Sequence, residues 1–211
     1  TRLRCDWSSD VCSSDLTVDR LNMDMGGIEC VIDVPSGPLR VYSVHLSAVS
    51  TRERLIQIDR LLEYHRNAQV SGSAWTGDGT SVDPIEAKHF ADQDWSNGEV
   101  PPPMPKEAII MGDFNSVFES DEYVRMVGEI DLSYGRVTHL DSFVDSWTVA
   151  NDGCDDPITW WPDPPERSPG HGVRLDYCFV SPDLAHKIKG AWVDSASIGS
   201  DHRPYWVELD L

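Results

Sequence analysis

Ala108-Ile-Ile-Met111 is a short, unbroken apolar run between Glu107 and Gly112, the pattern of a strand covered on both faces. A strand of this kind is covered above and below, which is compatible with a layered α/β architecture. The run leads directly into Gly112-Asp-Phe-Asn115, which places polar side chains at the end of a buried strand. In α/β proteins, strand ends are where sites are built.

The flanking sequence supplies the other layers. Gly27 to Val34 and Leu39 to Leu46 are β-rich and are joined by Pro35-Ser-Gly-Pro38, which predicts a hairpin ending at His45. Ser50-Thr-Arg-Glu53 has the capping-box form, and Leu55, Ile58, Leu61 and Leu62 follow at helical spacing, predicting a helix that ends near Asn67. From residue 70 to 106 the period is lost and the run Pro101-Pro-Pro-Met-Pro105 intervenes. This stretch reads as an inserted surface loop, with a short helix near Pro84 to Phe90. Ser120-Asp-Glu122 predicts a second helix start. Arg174 to Ser181 alternates as a strand, with Leu175, Tyr177 and Phe179 on one face and Asp176 and Cys178 on the other. Tyr205 to Leu211 alternates as a closing strand.

Composition narrows the range of partners. The 211 residues carry 36 acidic and 17 basic side chains, a formal net charge of −19, with no Lys/Arg cluster. Binding to duplex nucleic acid draws most of its affinity from basic side chains that displace counterions. The charge therefore does not support nucleic acid and suits a solvated surface. No stretch of about 18 apolar residues occurs, so no membrane-spanning helix is expected. Five cysteines show no Cys-x-x-Cys pair and no regular framework; Cys30 and Cys178 fall in strand-like runs, where a free thiol acts as a small hydrophobe. A monomer with one main domain is expected.

Residues 1–16 have no strand or helix period and contain the near-repeat Ser8-Ser-Asp10 and Ser13-Ser-Asp15. Residues 4–16 resemble a translated sequencing adapter, a contaminant of metagenomic gene models, so 1–16 is expected to be an artefact or a disordered tail. The domain then covers 17–211, and localisation is not readable.

Taken singly, the polar residues have ordinary explanations. His45 suits a hydrogen-bonded strand end, Asp113 and Asn115 suit a turn, and Asp201 suits a cap. What stands out is the recurrence of Asp, Asn and His at the ends of strands, in the strings Val44-His-Leu46, Gly112-Asp-Phe-Asn115, Arg174-Leu-Asp-Tyr177 and Ser200-Asp-His-Arg-Pro204.

In that order, these strings resemble the signatures of the endonuclease/exonuclease/phosphatase domains of the DNase I-like superfamily. The resemblance implies a four-layer sandwich of two mixed β-sheets flanked by helices. It also implies hydrolysis of a phosphate ester by an activated water, with Mg²⁺ or Mn²⁺ as cofactor. His202 would be the general base, paired with Asp176; Asp113 would orient the water or act as the base itself; Asn115 and His45 would donate to phosphoryl oxygens; Asp201 would be a hard oxygen ligand for the metal. The charge favours a small or lipid-linked phosphate ester as substrate. The family's Asn-bearing strand and Glu metal ligand find no match, Asn22 and Glu29 being the nearest candidates, so the N-terminal part of the domain is expected to be missing. A non-catalytic binding module of the same fold is the alternative. Thr159-Trp-Trp161 and His171 would flank the site, and Asp145-Ser-Trp147 would be structural.

Overall fold

A computed structural model describes residues 2–5, 17–20, 26–71, 104–152, 156–161 and 171–211. The elements in chain order are β1 (Arg2–Cys5), β2 (Thr17–Arg20), β3 (Gly27–Val34), β4 (Gly37–His45), α1 (Thr51–Ser71), β5 (Ala108–Asp113), α2 (Asp121–Val127), β6 (Glu129–Asp131), β7 (Gly135–Val137), β8 (Val144–Asp145), α3 (Ser146–Ala150), β9 (Asp176–Val180), a 3-10 turn (Pro182–Lys187), β10 (Ile188–Val193) and β11 (Tyr205–Leu209).

The fold is mixed α/β around a central mixed sheet. Six strands lie in the order β2-β3-β4-β5-β9-β8, with β4 and β5 parallel and the other pairs antiparallel. As the apolar run predicts, every residue of β5 is buried, because the sheet is covered on both sides. On one side Tyr42, Val44, Ile110, Tyr177 and Phe179 pack against Ile58, Leu61 and Leu62 of α1 and Tyr123, Met126 and Val127 of α2. On the other side Leu39, Val41, Ile109, Met111, Cys178 and Val180 meet Ala191, Tyr205, Val207 and Leu209 of a second sheet. That second sheet is antiparallel, in the order β1-β11-β10. The predicted alternation of β9 is observed: Tyr177 and Phe179 face the helices and Cys178 faces the second sheet.

Local chemistry explains the boundaries. The β3–β4 hairpin turns on Pro35 and Ser36, and Gly37 follows at φ +123°, a conformation side chains disfavour. The Ser50 hydroxyl accepts from the Glu53 N–H at 3.3 Å, but the Glu53 carboxylate is taken by the Ser47 hydroxyl at 2.7 Å, so the capping box forms only in half. The helix runs to Ser71, a turn beyond the predicted end, because nothing from Asn67 to Ser71 breaks it. The segment 72–103, including the helix predicted near Pro84 to Phe90, lies outside the described residues.

Two further observations concern the N-terminus. Arg2–Cys5 pairs antiparallel with β11, Arg2 opposite Glu208 and Cys5 opposite Tyr205, although no strand period marks it. The backbone groups along the edge of β11 can pair with any extended segment, whatever its side chains. Glu29 is buried on the helix side of the sheet, opposite Tyr42 and 3.8 Å from Arg40 Nε, so it takes no part in the strand-end site. Asn22 lies outside the described residues.

Candidate active site

His45, Asp113 and Asp176 form a straight row across three adjacent strands: His45 is the register partner of Asp113 in β4–β5, and Asp113 is the partner of Asp176 in β5–β9. Direct partners project to the same face of a sheet. Alternation along β4, β5 and β9 makes that the face covered by the second sheet, and the row stands at its rim, beyond Val41, Ile109, Met111 and Cys178. The site therefore opens where the seam between the two sheets ends.

The second sheet contributes His202, from the loop before β11. Its Nδ1 lies 2.8 Å from Asp176 Oδ2, and its Nε2 is 3.8 Å from Asp113 Oδ2, beyond hydrogen-bonding range. On the other flank, His45 Nε2 is 3.6 Å from the same Asp113 oxygen. Asp113 Oδ1 accepts the Asn115 backbone N–H at 2.8 Å. One buried carboxylate thus faces two imidazoles, while a second carboxylate fixes one of them.

Gly112 makes the row possible. It adopts φ +137°, and a Cβ there would lie 1.9 Å from the Val44 carbonyl oxygen, so only glycine lets β4 and β5 close up where both deliver site residues. Asn115 sits in the left-handed region at φ 48°, which Asn tolerates. Its Nδ2 donates to the Leu46 carbonyl at 2.9 Å, binding the loop after β5 to the chain just past His45. That bond commits one of the two amide N–H groups expected to meet a phosphoryl oxygen.

Electrostatics follow from burial and proximity. The His202 pKa is raised from its ordinary 6.5, first by the hydrogen bond to Asp176, against desolvation, with the charges of Asp176, Asp113 and Asp201 adding to the rise. Asp113 is raised from 3.8 by burial and by the Asp176 charge; the Asn115 N–H and the two histidines oppose this.

The remaining predicted residues are placed as follows. Asp201 is exposed. Among the described residues, no three His, Cys, Asp or Glu side chains converge as a metal-holding group; Asp113 Oδ1 and Asp176 Oδ2 already accept other donors. The donors described here do not assemble a fit for Mg²⁺ or Mn²⁺. His171 is exposed. Trp161 is covered by the Arg203 guanidinium, 4.3 Å from its ring centre, and the Trp160 ring lies 6.4 Å from that of His202. Asp145 caps α3 through the Trp147 N–H at 3.0 Å and pairs with Arg174.

The sequence placed Thr159 in a segment flanking the site but assigned it no role. This buried residue accepts the backbone N–H groups of Leu175 and Asp176 at 3.0 and 3.2 Å. Its hydroxyl type and its place before two tryptophans carry no signal in sequence.

The sequence matches the model of the Endonuclease/Exonuclease/phosphatase family over residues 14–202. Solved structures share the fold at low identity. An endonuclease/exonuclease/phosphatase from Bacteroides vulgatus is 14% identical with a TM-score of 0.54, covering 94% of this chain and 65% of that one. A 3'-5' exonuclease (NExo) from Neisseria meningitidis is 15% identical with a TM-score of 0.53, covering 93% and 71%. The AP endonuclease LMAP from Leishmania major is 15% identical with a TM-score of 0.52, covering 87% and 54%. The chain thus spans less than two thirds of the length of the Bacteroides and Leishmania proteins. No curated protein matches it. With its signature strings gathered at one seam and the match running through nearly all of the sequence, the chain belongs to the Endonuclease/Exonuclease/phosphatase family.

Proposed function

We propose that this chain hydrolyses phosphate esters by general-base activation of water on His202. The observation that carries the reading is the ordered row Asp176–His202–Asp113, with one nitrogen of the imidazole fixed at 2.8 Å and the other facing a carboxylate across 3.8 Å. With Nδ1–H given to Asp176, Nε2 is left as the acceptor, the tautomer a general base needs. A water held by Nε2 and Asp113 Oδ2 is lined up to lose its proton to His202 as its oxygen attacks phosphorus. Asp176 stabilises the imidazolium that results. His45 and the uncommitted N–H of Asn115 then stand on the same rim to bind phosphoryl oxygens.

A divalent cation would neutralise those oxygens when bound. Because the described donors do not make a ligand set, no step is assigned to it, and Asp201 stays its candidate carboxylate.

For the substrate we favour a small or lipid-linked phosphate ester over a duplex. The described cations are largely committed to carboxylates: Arg54 to Glu122, Arg125 to Asp59 and Asp141, Arg136 to Glu119, and Arg174 to Asp145. Such paired charges offer little to a polyanion.

The test is hydrolysis of an aryl phosphodiester and an aryl phosphomonoester with added Mg²⁺, comparing the parent chain with His202→Ala. A loss of about 10²- to 10⁴-fold is expected. Equal rates would remove the base assignment, and no hydrolysis by the parent chain would leave the binding-module reading.

A further inference from the structure

Asp176 and His202 belong to different sheets: the first opens β9 in the six-stranded sheet, and the second lies in the loop leading to β11. Their 2.8 Å contact depends on how those two segments are held together, and one residue grips both. On the β9 side, the Thr159 hydroxyl oxygen accepts the N–H groups of Leu175 and Asp176 at 3.0 and 3.2 Å, and the Thr159 N–H donates to the Val173 carbonyl at 3.0 Å. On the β11 side, the Thr159 carbonyl accepts the Arg203 N–H at 2.8 Å. The next residue, Trp160, forms isolated bridges to both Val173 and His202. Thr159 is fully buried, so water does not substitute for these bonds.

We propose that Thr159 is the positioning residue of the His202–Asp176 pair, an inference that rests on the hydrolytic reading above. Being fully buried, it acts through the pair and not on the reacting atoms. Its hydroxyl carries two acceptor lone pairs, enough to take both N–H groups at the start of β9, while its carbonyl holds the residue after His202. Together these bonds set the distance between the carboxylate and the imidazole, and hence the tautomer that leaves Nε2 free to accept a proton. A side chain of the same shape without the hydroxyl would fill the space and lose the register.

The test compares Thr159→Val, which keeps the shape, with Thr159→Ser, which keeps the hydroxyl. Long-range proton–nitrogen NMR spectra, taken above the His202 titration with the signal assigned through His202→Gln, report which ring nitrogen carries the proton. The parent chain and Thr159→Ser are expected to show the Nδ1–H form, and Thr159→Val a mixture shifted to Nε2–H. In the aryl ester assay Thr159→Val should lower kcat roughly 10- to 100-fold with KM unchanged, and Thr159→Ser should restore it. A folded Thr159→Val chain with the parent tautomer overturns the inference. So does a folded Thr159→Ser chain that loses it, which keeps the test decisive if Thr159→Val does not fold. The tautomer readout needs no turnover, so if His202→Ala leaves hydrolysis intact, the general-base assignment falls while the spectra still judge the role of Thr159.

Discussion

At the scale of the residue, the site is a contest between burial and neighbouring charge. His202 must be neutral to take a proton, and its pKa is raised above 6.5, chiefly by the bond to Asp176. Hydrolysis should therefore rise with pH through a value above 6.5, and Asp176→Asn, which removes the charge that holds the imidazolium, should move that rise to lower pH as it lowers the rate. A pH–rate profile of both proteins checks this. Asp113 behaves in the opposite sense for stability. Its folded pKa lies above 3.8, so it stabilises the fold only while protonated, and that contribution is lost as pH rises past 3.8. Burial and the neighbouring Asp176 charge both disfavour its ionised form. Asp113→Asn should raise Tm at pH 7 and abolish hydrolysis, a trade measurable by thermal melts beside the aryl ester assay.

At the scale of the element, the parallel β4–β5 pair is the part that places chemistry, and its closest point is Gly112. Gly112→Ala sets a methyl 1.9 Å from the Val44 oxygen at φ +137°, and should cost at least about 3 kcal/mol, read from urea unfolding. The helix α1 carries a second, distinct dependence. His65 accepts from Arg40 Nη2 at 2.7 Å, and its pKa falls from 6.5 to about 4, through burial first and the Arg40 charge second. A histidine kept neutral by the fold contributes stability above its unfolded pKa and loses it on acidification. Stability should therefore decline between pH 6.5 and 4, and His65→Gln, an acceptor that does not titrate, should flatten that decline in denaturant titrations.

At the scale of the whole molecule, Arg174 joins regions far apart in sequence. It is fully buried, makes two contacts of 3.3 and 2.7 Å with Asp145, and lies 4.2 Å from the Tyr177 ring centre. Arg174→Met strands the buried Asp145 carboxylate and should destabilise the fold by about 3–5 kcal/mol, measured by equilibrium unfolding. Arg174→Met combined with Asp145→Asn, which removes the stranded charge, should recover part of the loss.

Much of this protein was written in local sequence. The apolar run at Ala108, the alternation around Asp176, the hairpin to His45 and the cap at Ser120 each report a strand or helix whose burial pattern is set within a few residues, and the strand-end strings named five residues of the candidate site, His45, Asp113, Asn115, Asp176 and His202. Other features depend on partners distant in the chain and leave no local trace. These include β10, the pairing of residues 2–5 with β11 and the role of Thr159. Periodicity records which face of an element is buried; it does not record what covers that face. The sequence by itself determined which side chains could do chemistry and that they stand at strand ends. Only the tertiary structure decided that His45, Asp113 and Asp176 share one row and that His202 meets them from the other sheet, because cross-strand register and the seam between sheets exist only once distant segments have packed.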